Sequence, residues 1–176
     1  MSKNKNHLPE SVLRRQRARR RAVQGVYQWQ MTGTGSRDIV AQFNDEQDMS
    51  NIDSELFVFL LSKVINQHQE LDEKLQPFLD RPLSQVDETE RAILRIAAVE
   101  LLFSIEVPAK VVLNEAIELA HRFGAEKSHS FINGVLDKCV ADWRKLEMDV
   151  DKNSKSSKNS KKTDKPATEV TKQPES

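Results

Sequence analysis

Six arginines fall within eight positions near the start of the chain: Arg14, Arg15, Arg17, Arg19, Arg20 and Arg21. A guanidinium group presents a planar fork of donors that fits phosphate oxygens in pairs, so such a run is chemistry for a polyanion. On a helix these six would cover most of the circumference, so they cannot all be matched by acids of the protein. The competing reading is a solvated helix end without a partner. The helix dipole opposes it, because each cation near a helix N-terminus is unfavourable by roughly 0.3–1 kcal/mol. Arginine-rich segments commonly become ordered on RNA. The run therefore reads as a nucleic-acid contact.

Gln24 lies seven residues past Arg17, and Tyr27 seven past Arg20. Two helical turns bring each pair nearly into line, so the cationic surface continues as a polar and aromatic stripe. Tyr27 suits base stacking or a protein partner; as a residue type it suits a half-buried place at a core rim equally well. A second candidate is GAEKSHSFINGVLDK, residues 124–138. Lys127 and His129 stand where a helix begins, and helix-start N–H groups favour phosphate. Phe131 is available for stacking. Its alternative is an ordinary core phenylalanine, which the bare residue pattern favours. Asn133-Gly134 inside a helix predicts a close helix approach at Gly134.

Other polar residues lie in apolar stretches. Arg95, Glu100, Asn114 and Glu115 are expected to pair with one another or cap the interior, since a buried charge needs a partner. No Gly-rich phosphate loop, nucleophile elbow or HExxH motif occurs, so no catalytic activity is expected. His7, His68, His121, His129 and Cys139 lack metal-finger spacing, and no cofactor or small-molecule substrate is expected.

The elements that must position these residues read as helices throughout. The chain has 176 residues, a length for one domain or two small ones sharing a core. Its formal charge is zero, but that neutrality is a sum of unlike parts. Residues 1–21 hold eight Lys/Arg against one acid, residues 22–145 twelve against twenty, and residues 146–176 seven against six. A basic arm thus precedes an acidic body, with residues 1–13 expected to be flexible. After Val150 almost no large apolar residue remains, so 146–176 reads as a disordered Lys/Ser-rich tail. No apolar run approaches the ~18 residues of a membrane span. The opening MSKNKNHLPESVLRR has no signal core, and the single cysteine fits a reducing cytoplasm.

Ala18, Ala22, Val26 and Trp29 mark the buried face of a first helix, near 12–31, stopped by the glycines of TGTGS. A short helix follows near 37–47. Ser50 or Asn51 is the expected cap of a third, striped by Leu56, Phe57, Phe59, Leu60, Val64 and Ile65. Leu71, Leu75, Phe78 and Leu79 mark a fourth, ended by Pro82. Asp87 with Glu90 reads as a capping box opening a helix that is apolar nearly all round and hence central. Pro108 starts the next helix, and Gly124 is its expected C-terminal cap. A last helix carries Ile132, Val135, Leu136, Cys139 and Val140. About seven helices result, four before Pro82 and three after, with subdomains of about 14–82 and 83–145.

Three strings carry a family likeness: RRQRARRRAVQGVYQWQ from Arg14, ILRIAAVEL from Ile93, and NEAIELAHRFGAEKSHSFINGVLDK from Asn114. Together they resemble the NusB family of bacterial transcription antitermination proteins. The likeness spans roughly 14–143. It implies an all-α fold of seven helices in two small packed bundles. It also implies binding to boxA RNA of nascent transcripts as a heterodimer with NusE, a small-subunit ribosomal protein. Other Nus factors and RNA polymerase complete the assembly, which suppresses termination chiefly in ribosomal RNA operons. By residue, the resemblance implies RNA contacts at Arg15, Arg17 and Arg19, at Tyr27 and at Phe131, and a place for Glu90 near the NusE and RNA surface. Gln16 stands where the family commonly has arginine, Arg20 and Arg21 add charge, and Lys127 replaces a frequent acid. Two alternatives belong to other classes. One is an accessory domain like those heading some ribosomal RNA methyltransferases, for which a downstream cofactor-binding domain with a Gly-rich strand–loop–helix would be expected. The other is a helical protein-interaction adaptor with a merely solubilising arm.

Overall fold

Apolar side chains recurring at helical spacing have to be covered from both sides of the chain, and the computed structural model shows how. It describes residues 8–150. Among them are six long α-helices and no strand. These are α1 (Glu10–Thr32), α2 (Ser36–Glu46), α3 (Ser54–Leu75), α4 (Glu88–Phe103), α5 (Ala109–Phe123) and α6 (Ser128–Trp143). Two 3-10 turns, Gln76–Phe78 and Leu83–Gln85, join α3 to α4. Helices α1 to α3 form one small bundle and α4 to α6 the other. Helix α4 packs against α1, α3, α5 and α6. Ten consecutive residues of α4, Ala92 to Leu101, are buried, as an all-round apolar helix requires. One hydrophobic core runs through both bundles. Among the described residues, 8–144 form a single compact unit.

Several boundaries differ from the sequence reading. Helix α1 starts at Glu10, so residues 10–13 are helical rather than part of a flexible arm, and the arginine run lies on the helix as expected. The expected third and fourth helices are both present, as two segments of α3 that meet at a kink where Gln67 leaves the helical conformation, at φ −123° and ψ 18°. The cap of α3 is Asp53, whose carboxylate accepts from Leu56 N–H at 3.0 Å, and not Ser50 or Asn51. Residues 146–150 are helical, inside the stretch expected to be a disordered tail. Residues 151–176 and 1–7 lie outside the described residues.

Glycines bound the helices for different reasons. Gly33 ends α1 at φ 72°, a left-handed conformation that a Cβ disfavours, and its N–H reaches Trp29 O at 2.8 Å. Gly124 ends α5 in an extended conformation instead, so its role is space: a Cβ there would fall 2.6 Å from Ser128 Cβ and 2.7 Å from Ala120 O. Gly134 is exposed with nothing near its missing Cβ, so no helix approaches it. The close approach is made at Gly25, where a Cβ would meet Leu61 Cδ1 at 3.1 Å and Ile39 Cγ2 at 3.3 Å.

Buried ions tie the bundles together, with partners other than those expected. Arg95 makes two bonds to Asp72, at 2.8 and 2.7 Å, and a third to Gln30 at 3.0 Å, with Trp29 against its guanidinium. Arg144 closes the C-terminal end of α4. It donates to the carbonyls of Leu101 at 2.7 Å, Ser104 at 3.1 Å, Glu100 at 3.3 Å, and Ile105 and Val107 at 3.4 Å. A cation there satisfies orphan acceptors at the negative pole of the helix.

Candidate nucleic-acid interface

Helix α1 divides its arginines by position. Arg19 lies on the buried side, 3% exposed, beside Ala18, Ala22 and Val26. Its Nε and Nη2 donate to the two carboxylate oxygens of Glu100 at 2.8 and 2.7 Å, and Glu115 stands 3.6 Å from Nη1. Burial by itself would lower the Arg19 pKa, but the hydrogen bond and charge of Glu100, with Glu115 behind it, raise it. Arg19 is therefore an internal ion, and the RNA contact expected of it is withdrawn. Glu115 also accepts from Gln16 at 2.9 Å, whereas Asn114 is exposed at a cleft.

The other arginines reach outward. Arg14 donates to Ile52 O at 3.1 Å, and Arg17 to Asn51 O at 3.1 Å and Glu10 at 2.7 Å. These bonds hold the loop between α2 and α3 against α1. Arg15 lines a shallow cleft with Ser11, Arg14, Asp53, Ser54 and Glu55. Arg21 donates to Gln24 at 3.1 Å, which fixes the start of the polar stripe, while its buried Nε has no hydrogen-bond partner. Tyr27 is 42% exposed, on the wet side of the helix.

A cleft of about 410 Å³ gathers Arg17, Arg20 and Arg21 with Asp48, Asn51, Ile52 and Arg122. Arg122 comes from the last turn of α5, 101 residues along the chain from Arg21. Burial, and next the charge of Arg122, hold the Arg20 pKa below its usual value. Like charges brought together in this way raise the local positive potential. A second cleft, of about 660 Å³, shares Arg20 and Arg122 and adds Gln16, Glu118 and His121.

The α6 residues separate into two neighbourhoods. His129 stacks on His121 with centroids 4.3 Å apart, beside the Arg122 turn. Phe131 is half-buried at the core edge, with the Arg81 guanidinium 5.3 Å from its ring centre. It is thus neither a plain core residue nor an open platform. Lys127 is exposed at the position before α6. An internal acid already serves the start of α6: Glu90 accepts from the Ser128 hydroxyl at 2.7 Å. The cap of α4 is carried by Asp87, which accepts from Thr89 N–H at 2.9 Å and Glu90 N–H at 3.4 Å.

Arg122, His121 and Arg81 had escaped the sequence reading. Arg122 and His121 sit in the same string as Lys127 and Phe131, but basic residues in the last turn of a helix are ordinary dipole partners and gave no separate signal.

Comparison with known proteins settles the kinship. The model of the NusB family matches residues 16–141, most of the chain. The chain belongs to the NusB family. The transcription antitermination protein NusB of Stenotrophomonas maltophilia (strain K279a) is 48% identical over 133 residues, covering 76% of this chain and 84% of that protein. The protein of the same description from Xanthomonas campestris pv. campestris (strain B100) is 50% identical over the same length and shares. The solved structure of T. maritima NusB superposes with a TM-score of 0.65 at 24% identity, over 80% of this chain and 97% of that one, and so supports the NusB fold. This NusB-family chain has no helix among its described residues long and apolar enough to cross a membrane. Nor do those residues hold a His/Cys/Asp/Glu group suited to a metal.

Proposed function

We propose that this chain is a transcription antitermination factor that binds boxA RNA of nascent transcripts, notably of ribosomal RNA operons, in the cytoplasm. It does so as a heterodimer with NusE and assembles with other Nus factors on RNA polymerase, without catalysis or cofactor. The observation that carries the reading is the convergence of Arg17, Arg20 and Arg21 on one open cleft, in a chain whose relatives are named antitermination proteins.

The residues divide by task. Arg15, Arg17 and Arg20 hold phosphates, which positions the strand without selecting its sequence. Gln24, Tyr27, Lys127, His129 and Phe131 meet bases or the flanking backbone, with selectivity resting on the aromatic rings. Tyr27 and Glu90 also face NusE. Two RNA-binding surfaces joined in a heterodimer strengthen each other through effective concentration.

A gel-shift titration tests this with boxA RNA and a scrambled RNA of equal length, each with and without NusE. Binding that falls with salt, favours boxA, and gains more from NusE on boxA than on the scramble is the expected result. Equal affinity for both RNAs in the presence of NusE would overturn the assignment.

A further inference from the structure

The arginine-rich helix does not form its cleft alone. Arg17, Arg20 and Arg21 line it together with Arg122 of α5 and with Asp48, Asn51 and Ile52 of the loop between α2 and α3. Three observations mark this cleft as a seat for an anion. First, Arg122 lies close enough to Arg20 for its charge to oppose that of Arg20 across the cleft. Second, Arg21 keeps a buried Nε without a hydrogen-bond partner on the same cleft. A buried donor left unmatched is unfavourable, so the Arg21 guanidinium has donor capacity that its protein surroundings do not use. Third, Arg17 is oriented by Asn51 O and Glu10, so one guanidinium is already held in place. The acid on the lining, Asp48, is turned to its own loop: it accepts from Ser50 N–H at 3.0 Å and the Ser50 hydroxyl at 2.6 Å.

We infer that this cleft seats a backbone phosphate of the bound RNA, and that Arg122 is a phosphate ligand contributed from outside the arginine-rich helix. The inference rests on the RNA-binding reading above and extends the RNA path from α1 to the end of α5. A phosphate between Arg20 and Arg122 converts a repulsive pair into a bridged one, so the site gains on binding what it lacks when empty. The stacked His121 and His129 continue from Arg122 toward Lys127, which gives the strand a route from α1 to the start of α6.

The test compares the chain with its Arg122→Gln variant, using Lys110→Gln on the exposed first turn of α5 as control. Affinity for boxA RNA and for a scramble is measured across a salt series, together with thermal unfolding. Arg122→Gln is expected to reduce the slope of log affinity against log salt by about 0.7, alike for both RNAs, as removal of one phosphate ligand does on a single strand. It is expected to leave the melting temperature nearly unchanged, because the like-charge repulsion removed offsets the favourable place of a cation in the last turn of a helix. Lys110→Gln is expected to change neither. A normal slope in Arg122→Gln, while the parent chain still binds RNA in a salt-dependent way, would overturn the role of Arg122 and leave the RNA-binding reading intact. A parent chain that binds neither RNA would instead remove that reading, and this one with it. A lowered melting temperature in Arg122→Gln with an unchanged slope would make Arg122 a structural residue and also overturn the inference.

Discussion

Arg19 and Glu100, eighty-one residues apart in sequence, face each other as a two-bonded ion pair inside the core. Removing one partner strands the other charge. Arg19→Ala is expected to destabilise the fold by about 3–5 kcal/mol, whereas Arg19→Met combined with Glu100→Leu should recover most of that loss. Urea unfolding of the two variants measures the difference. A loss below about 1 kcal/mol for Arg19→Ala would mean that the pair is dispensable.

Neutralising the outward arginines should act on RNA far more than on helix content. Changing Arg15, Arg17 and Arg20 together to Ala is expected to flatten the salt slope by about 0.7 for each phosphate no longer held. Helical circular dichroism should persist, since these side chains lie outside the core. An unchanged slope with helicity retained would exclude these arginines from the RNA surface.

Phe131 has one edge on the core and one face against Arg81. Phe131→Ala is expected to weaken boxA binding by about 1–3 kcal/mol, the range for losing one base–aromatic stack, and to weaken scramble binding less. Melting temperature and both affinities are measured on the one variant. A large fall in stability with an unchanged boxA-to-scramble ratio would remove the stacking role.

Two glycines should respond with opposite signs. Gly134→Ala sits in open space within a helix and is expected to stabilise by about 0.5–1 kcal/mol. Gly124→Ala would push a Cβ to within 2.7 Å of Ala120 O and is expected to destabilise, moving α6 from α5. Thermal melts of the pair decide; stabilisation by both would contradict the packing of the α5–α6 turn.

Burial pushes the Cys139 thiol up to about 12 from 9.0. A folded-state pKa raised above the unfolded one gives stability that is complete below the unfolded value and fades as pH climbs from about 9 toward about 12. The parent chain should therefore lose more stability over that window than Cys139→Ala. At neutral pH a thiol reagent should label Cys139 only as fast as the fold opens. Rapid native labelling would show that the α6 core is open.

The helices were legible because their apolar residues repeat at helical spacing: Ala18, Ala22 and Val26 did reach the core, and the all-round apolar stretch from Ala92 did become the central helix. What misled the reading was context. Leu71 and Leu75 do lie on a helical segment of their own beyond the kink, but the kink falls at Gln67, which has no residue signature. Spacing cannot tell which arginine of a run meets an acid from eighty-one residues away, and so Arg19 was grouped with its exposed neighbours. Glycine identity announced constraint at both Gly124 and Gly134, but only the packed chain shows that one is crowded and the other open. The lining supplied by Arg122 is a tertiary fact of the same kind.

Arg144 reaches back 37 to 44 residues to fasten the end of α4. A growing chain emerges N-terminus first, at roughly 5–20 residues per second. The cationic helix α1 is therefore outside the ribosome for several seconds before Glu100 follows to neutralise Arg19, and the clasp on α4 arrives later still. During synthesis Arg19, in the segment richest in positive charge, is the cation that waits for a distant acid, in a surrounding crowded with RNA.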